Sequence, residues 1–199
     1  IHPLQLALDV QGAMGDGDWL VIDGGNTHFW SEIAVNIAGF QGKKLGGILH
    51  PGTFSLLGVG VSFAVSAKNV DPSRNVVLIS GDGAFLSGGL SIEAAFQENR
   101  PIVVVIDNNG GLDCISQQQE RLFASGTHYA TDFRDIPFHT MFEGLGGHGE
   151  LVTRREDIIP AVQRAMVSGK TACVYVKVKG VISPIVLATT SKRDKASIE

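Results

Sequence analysis

Short, continuously apolar runs alternate along the chain with longer segments of helical periodicity. Pro3–Met14 reads as a helix, with proline near its start and Leu4, Leu8 and Gln11 at helical spacing. Trp19–Asp23 is an apolar strand ending in Gly24-Gly25-Asn26-Thr27, and Phe29–Phe40 follows as a helix with an apolar face. Gly42–Thr53 is a glycine-rich connection, while Leu57–Lys68, rich in small residues, fits helix or strand by pattern alone. Asp71-Pro72 marks a turn. Asn75–Ser80 is a second strand, ending in Gly81-Asp82-Gly83. Ser91–Glu98 reads as a helix stopped by Arg100-Pro101, and Ile102–Asp107 as a third strand ending in Asn108-Asn109-Gly110-Gly111. Gly110–Pro137 is a long polar loop with some helix around Gln117–Phe123. Phe138–Leu145 (helix), Glu150–Thr153 (short strand), Arg155–Ser168 (helix) and Ala172–Lys179 (strand) complete the pattern. Strands buried on both faces read as unbroken apolar runs, so the pattern predicts an α/β fold, a doubly wound, mostly parallel sheet with helices on both faces. One domain is expected over residues 1–182, followed by a tail over 183–199 whose end, Ser191–Glu199, is polar and expected to fray.

Composition narrows the class of ligand. A hydrophobic fraction of 44% with 18% charged residues belongs to a globular chain. The net charge is −4 and no basic block occurs, which argues against nucleic acid or an anionic membrane as partner. An anionic ligand then needs a local device, either backbone N–H groups or a metal ion. Of the two cysteines, Cys173 lies in an apolar run and reads as a buried thiol, and Cys114 lies in a polar loop. With no disulfide framework and no Cys/His zinc pattern, a reduced, cytoplasmic setting is the expectation. No run approaches the roughly 20 apolar residues of a membrane span, and no secretory signal is visible. The chain begins at Ile1 rather than Met, from which a piece of something longer is expected.

Glycine is the compositional outlier, 25 residues in 199, and it clusters where apolar runs end. In an open parallel sheet, ligands bind beyond the carboxyl ends of the strands. Asp82 and Asn109 lie 27 positions apart, separated by a turn, a helix and a strand. That is one right-handed βαβ crossover, which brings both residues to the same edge of neighbouring strands. A carboxylate, an amide oxygen and nearby carbonyls form a hard, all-oxygen site, the kind magnesium takes when phosphates and water complete its shell.

Gly81-Asp82-Gly83, twenty-four residues, then Asn108-Asn109 resembles the thiamine-diphosphate fingerprint of the acetohydroxyacid synthase, pyruvate decarboxylase and benzaldehyde lyase superfamily. The resemblance runs from the start of the chain to about Lys179, as the C-terminal cofactor domain of those enzymes. It implies thiamine diphosphate and Mg²⁺ as cofactors. Asp82, Asn109 and the carbonyl of Gly111 would then be metal ligands, with Gly81 in the same turn and Gly83 and Ala84 giving backbone N–H groups to the diphosphate. Gly25, Asn26 and Thr27 occupy the place where the family holds the far phosphate, although Asn and Thr also serve as plain helix caps. Leu57 matches the bulky residue that wedges beneath the thiazolium ring, with an ordinary core leucine as the competing reading. Ser55 matches the carbonyl that accepts from the 4′-amino group, where the family commonly has glycine. Gln118 stands where the synthases carry a tryptophan that helps choose the second keto acid. The Thr27–Glu32 stretch and Ser183-Pro184 look nearer to benzaldehyde lyase. His28, His50 and His128 either face substrate or are structural.

The family draws an activating glutamate from a separate pyrimidine-binding domain or subunit. Glu32, Glu93, Glu98 and Glu120 do not read as that group. The expectation is therefore a fragment or one subunit of a split enzyme, acting in a homo-oligomer on a 2-oxo acid, aldehyde or related carbonyl substrate by 2-oxo acid decarboxylation and carboligation or by C–C lyase chemistry. A non-catalytic diphosphate-binding module of the same fold is the alternative.

Overall fold

The structure, a computed structural model, describes residues 1–123 and 125–190. Six strands form one all-parallel sheet in the order β2-β1-β3-β4-β6-β5. They are β1 (Trp19–Asp23), β2 (Gly47–Leu49), β3 (Val76–Gly81), β4 (Val103–Asn108), β5 (His148–Val152) and β6 (Ala172–Lys177). The helices are α1 (Pro3–Ala13), α2 (Asn26–Phe40), α3 (Gly60–Val70), α4 (Asp82–Gly88), α5 (Glu93–Gln97), α6 (Asp113–Leu122), α7 (Phe138–Gly144), α8 (Ile158–Val167) and α9 (Pro184–Thr190).

Successive residues of a strand point to opposite faces, and each face here has its own core. Leu20, Ile22, Val77, Ile79, Val103, Val105, Val174 and Val176 pack with α1, α2 and α8. Val21, Leu78, Val104, Ile106, Cys173 and Tyr175 pack with α3, α5 and α7 on the other side. Every residue of β3 and β4 is buried, which is why those strands lack any polar alternation.

The winding reverses between β1 and β3. From β1 the chain crosses through α2 to β2 at one side, then returns through α3 to β3 on the other side of β1. A crevice opens at such a reversal, outside the strand ends. Gly81 pairs in register with Asp107, so the turns after β3 and β4 leave the sheet side by side.

Several elements differ from the sequence pattern. Helix α2 begins at Asn26, so Asn26 and Thr27 are its first residues rather than loop. The Gly42–Thr53 connection contains edge strand β2 and a 3-10 turn over Gly52–Phe54. The Leu57–Lys68 ambiguity resolves as helix from Gly60. Gly81-Asp82-Gly83 leads directly into α4. The Gly110–Pro137 segment is tied down rather than open: α6 fills Asp113–Leu122, and Gly111 bridges to Asp132. In the segment expected as a tail, Ser183 and Val186 are buried and α9 lies against α6. The expected fraying of Ser191–Glu199 lies outside the described residues.

Gly60 opens α3 directly above the sheet, where an added Cβ would lie 2.7 Å from Asp23 Cβ and 2.7 Å from Leu78 Cδ1. Gly39 is exposed near the end of α2 with open space around it. The same substitution should therefore have opposite signs. Gly60→Ala is expected to cost about 1–3 kcal/mol through overpacking, and Gly39→Ala to gain about 0.5–1 kcal/mol through helix entropy. Urea unfolding of the two variants checks this, and equal effects would contradict the packing described.

Candidate functional site

The ends of β1, β3 and β4 and the turns that leave them enclose a cavity of about 280 Å³. Its wall contains Gly25, Asn26, Thr27, Ser55, Leu57, Gly81, Asp82, Gly83, Ala84, Asn109 and Gly111. Residues singled out at four separate points in the sequence thus converge on one space.

Asp82 is the hub. Its Oδ1 accepts from Gly83 N–H at 2.7 Å, and its Oδ2 accepts from Gly110 N–H and Gly111 N–H, each at 3.0 Å. Burial nevertheless pushes its pKa up to about 6, against the lowering effect of those three N–H groups. Asn109 turns its Oδ1 into the structure with no hydrogen-bond partner and no solvent contact. A buried acceptor without a donor is costly, and a cation would satisfy it. Glycine is required at two of these points. A Cβ on Gly83 would meet Leu112 Cδ2 at 2.5 Å, and one on Gly111 would collide with the carbonyl of Thr131. The donor set, the unmatched oxygen and the narrow backbone passage all fit a hard metal ion held next to a diphosphate.

Helix α2 points its start at the cavity. Its cap, Gly25, offers no side-chain acceptor to the first-turn N–H groups. The side chains of Asn26 and Thr27 are engaged elsewhere. Asn26 Nδ2 donates to Asp113 Oδ2 at 3.2 Å and to Gln117 Oε1 at 3.0 Å, and its Oδ1 accepts from Ser183 N–H at 3.0 Å. Thr27 Oγ1 donates to Asp107 Oδ2 at 2.8 Å. These side chains bind α2 to β4, α6 and the start of α9, and leave anion binding to the backbone.

Ser55 adopts φ 48° and ψ 31°, the left-handed region that glycine prefers. Leu57 is 37% exposed, so it is a cavity-wall residue rather than an ordinary core leucine. Asp23, at the end of β1, holds this segment: its Oδ2 accepts from Gly58 N–H at 3.0 Å and Gly60 N–H at 2.7 Å.

Asp23, Asp107 and Asp113 were not singled out in the sequence. The available signal was that Asp23 and Asp107 each end a continuously apolar run. Asp107 is fully buried, its Oδ1 has no partner, and burial first, then the nearby Asp82 and Asp113 charges, push its pKa up to about 7 against the Thr27 hydroxyl. Burial also raises Asp23 and Asp113. Of the three candidate histidines, His28 lines the cavity, His50 lies near Glu32, and His128 is held on the surface by Glu120 and Asp132. Gln118 is turned back onto its own helix, donating to the Cys114 carbonyl at 3.0 Å. Cys114 stands on the cavity wall, and Cys173 is buried. Among the described residues no helix is long and apolar enough to cross a membrane.

Residues 23–178 match the model of the thiamine pyrophosphate enzyme C-terminal TPP-binding domain. The chain is 33% identical over 178 residues to a probable acetolactate synthase of Mycobacterium bovis, covering 88% of this chain and 31% of that protein. It is 30% identical over 167 residues to 2-hydroxyacyl-CoA lyase 2 of Bos taurus, covering 82% of this chain and 25% of that one. Its fold superposes on the thiamine diphosphate-dependent 4-hydroxybenzoylformate decarboxylase of Rhodococcus jostii with a TM-score of 0.71 and 25% identity, over 92% of this chain and 33% of that chain. The chain therefore spans about a third or less of the length of these relatives.

Asp82 and Asp107 hold protons more tightly in the folded chain than an ordinary aspartate near 3.9 does. At these two groups the folded state binds more protons than the unfolded state between about pH 4 and pH 7, so their contribution to stability falls as pH rises through that window. The cofactor-free chain in EDTA is expected to show a Tm that declines across it, with a flatter profile in Asp107→Asn. A Tm rising steadily from pH 4 to pH 7, followed by circular dichroism, would contradict the buried-carboxylate reading.

Proposed function

Since the chain belongs to the thiamine pyrophosphate enzymes, as their C-terminal TPP-binding domain, we propose that the cavity at the ends of β1, β3 and β4 holds thiamine diphosphate through Mg²⁺. The observation that carries this reading is the pairing of Asp82 with the partnerless, buried Asn109 Oδ1 at one strand edge. Asp82 and Asn109 give side-chain oxygens to the ion, and Gly111 gives its carbonyl. The N–H groups at the start of α2, at Gly25, Asn26 and Thr27, bind phosphate oxygens together with that of Ala84, and Gly83 N–H, which donates to Asp82 Oδ1, joins them only when the ion takes that oxygen. Gly81 admits the backbone approach. Leu57 supports the ring system from below, and Ser55 presents its carbonyl to the aminopyrimidine.

When bound, the cofactor supplies the electron sink for breaking or forming a C–C bond next to a carbonyl. The chain's own contribution is positioning and charge. The metal site neutralises the diphosphate, the α2 start adds its helix dipole, and the Leu57 wall excludes water from one side. The carboxylates on this wall are those of Asp82 and Asp113. The activating glutamate accordingly comes from a pyrimidine-binding domain or subunit. Phe54, 94% exposed, with Leu56 and Leu57, offers that domain or a second copy an apolar surface to cover. The complete protein is then a lyase or transferase acting in a homo-oligomer on a small 2-oxo acid, aldehyde or related carbonyl compound, by 2-oxo acid decarboxylation and carboligation or by lyase chemistry without decarboxylation. The absence of a basic surface block favours small-molecule substrates over nucleic acid.

A non-catalytic diphosphate module of the same fold would keep the Asp82–Asn109 site without needing the Leu57 wall. Calorimetry separates the two readings. ThDP–Mg²⁺ is expected to bind and ADP–Mg²⁺ to bind at least tenfold more weakly. Asp82→Ala is expected to abolish Mg²⁺-dependent binding, and Leu57→Ala to weaken ThDP while leaving ADP unaffected. Wild-type affinity for ThDP–Mg²⁺ in Asp82→Ala would overturn the metal assignment.

A further inference from the structure

We propose that His28, Glu32 and His50 form a second metal site, for a divalent ion of the zinc class, beside the cavity wall to which His28 belongs. It is separate from the oxygen site at Asp82 and does not depend on it. Helix α2 places His28 and Glu32 four residues apart, on one face. His28 Nε2 lies 2.9 Å from Glu32 Oε1. His50 arrives from a different element, just past edge strand β2, which pairs in parallel with β1. Its Nδ1 lies 3.9 Å from the same carboxylate oxygen, and its ring meets that of His28 edge-on with centroids 5.1 Å apart. One ligand atom from each of the three residues lies within 4.8 Å of the other two.

Zinc bonds of about 2.0–2.2 Å in tetrahedral geometry set ligand atoms roughly 3.3–3.5 Å apart. The observed 2.9 Å and 3.9 Å contacts to Glu32 straddle that value and no pair of ligand atoms exceeds 4.8 Å, so side-chain rotations bring the three atoms around one ion. Coordination through His50 Nδ1 replaces the 3.2 Å hydrogen bond it accepts from Gly52 N–H. Two histidines, one carboxylate and a fourth position left for water make the ligand set of open zinc sites. Imidazole nitrogens favour zinc, nickel and copper, whereas magnesium and calcium take oxygen. The two sites therefore select different ions. Glu32 and His50 are partly exposed, which lowers the cost of the charge that remains after two neutral imidazoles and one carboxylate bind a divalent ion.

Binding there has a structural consequence. His50 immediately precedes Pro51–Leu57, the segment that carries left-handed Ser55 and the cavity-wall Leu57. An ion bridging His50 to α2 clips this segment to the helix whose first turn faces the cavity.

The test uses the full-length protein that carries this chain. It is equilibrated with zinc chloride in excess Mg²⁺, desalted, and its metal content measured by mass spectrometry. Wild type is expected to retain zinc, and His50→Ala and Glu32→Gln each to hold one equivalent less with unchanged circular dichroism. His128→Ala, altered outside the cluster, is expected to match wild type. Cobalt in place of zinc is expected to give the strong visible bands of a four- or five-coordinate ion. Zinc content unchanged in both His50→Ala and Glu32→Gln would overturn the proposal, as would loss of the same equivalent in His128→Ala.

Discussion

The structure around the cavity depends on one carboxylate. Asp82 stands where β3 becomes α4 and takes N–H groups from Gly83 on its own helix and from Gly110 and Gly111 beyond β4. These bonds fix the two turns against each other at a place where the sheet's own ladder has ended. They also fix the turn that begins with Asn109, immediately before the two glycines, and the Oδ1 of Asn109 is buried and unmatched. Hydrogen bonds to a charged group contribute about 1.5–3 kcal/mol each, so three of them are strong enough to hold a buried carboxylate in place. They do not fully offset desolvation, because the proton is still held more tightly than on an ordinary aspartate.

The same tension repeats across the strand ends. Asp23 secures the Gly58–Gly60 backbone, Asp107 secures Thr27, and Asp113 secures Asn26. Each is a strut whose pKa is raised by burial. Concentrating carboxylates beneath a cavity is unfavourable for an isolated fold and favourable for one that receives a cation. The cost is the structural counterpart of affinity, since a divalent ion at Asp82 relieves both desolvation and mutual repulsion.

How much of this was legible in the sequence follows from distance along the chain. Strands β1, β3 and β4 were readable because burial on both faces confines their polar residues to the carboxyl ends. The Asp82–Asn109 pair was readable because a single crossover joins its members and fixes where they meet. Strand β2 was not, because three residues of an edge strand carry almost no periodicity. The commitments of Asn26 to Asp113, Gln117 and Ser183 were also hidden, since they span 87 to 157 positions and are set by the packing of α6 and α9. Asn and Thr at a helix start read as phosphate ligands or caps, and tertiary partners claimed their side chains instead. His50 was visible only as a lone histidine until β2 turned it toward Glu32.

The cavity is built unevenly. Its floor consists of buried strand ends tied by short hydrogen bonds. Its wall over Pro51–Leu57 is attached through Asp23 and carries left-handed Ser55, which costs about 1–2 kcal/mol. Phe54 and Leu56 on that wall contribute almost nothing while exposed to water. Burying either one contributes about 1.5–3 kcal/mol, which is comparable to the Ser55 strain or larger. Covering them would therefore add to the two Asp23 hydrogen bonds that already hold the wall. The floor is specified by buried contacts within the domain, and the wall is the part of the cavity whose apolar side chains stay exposed.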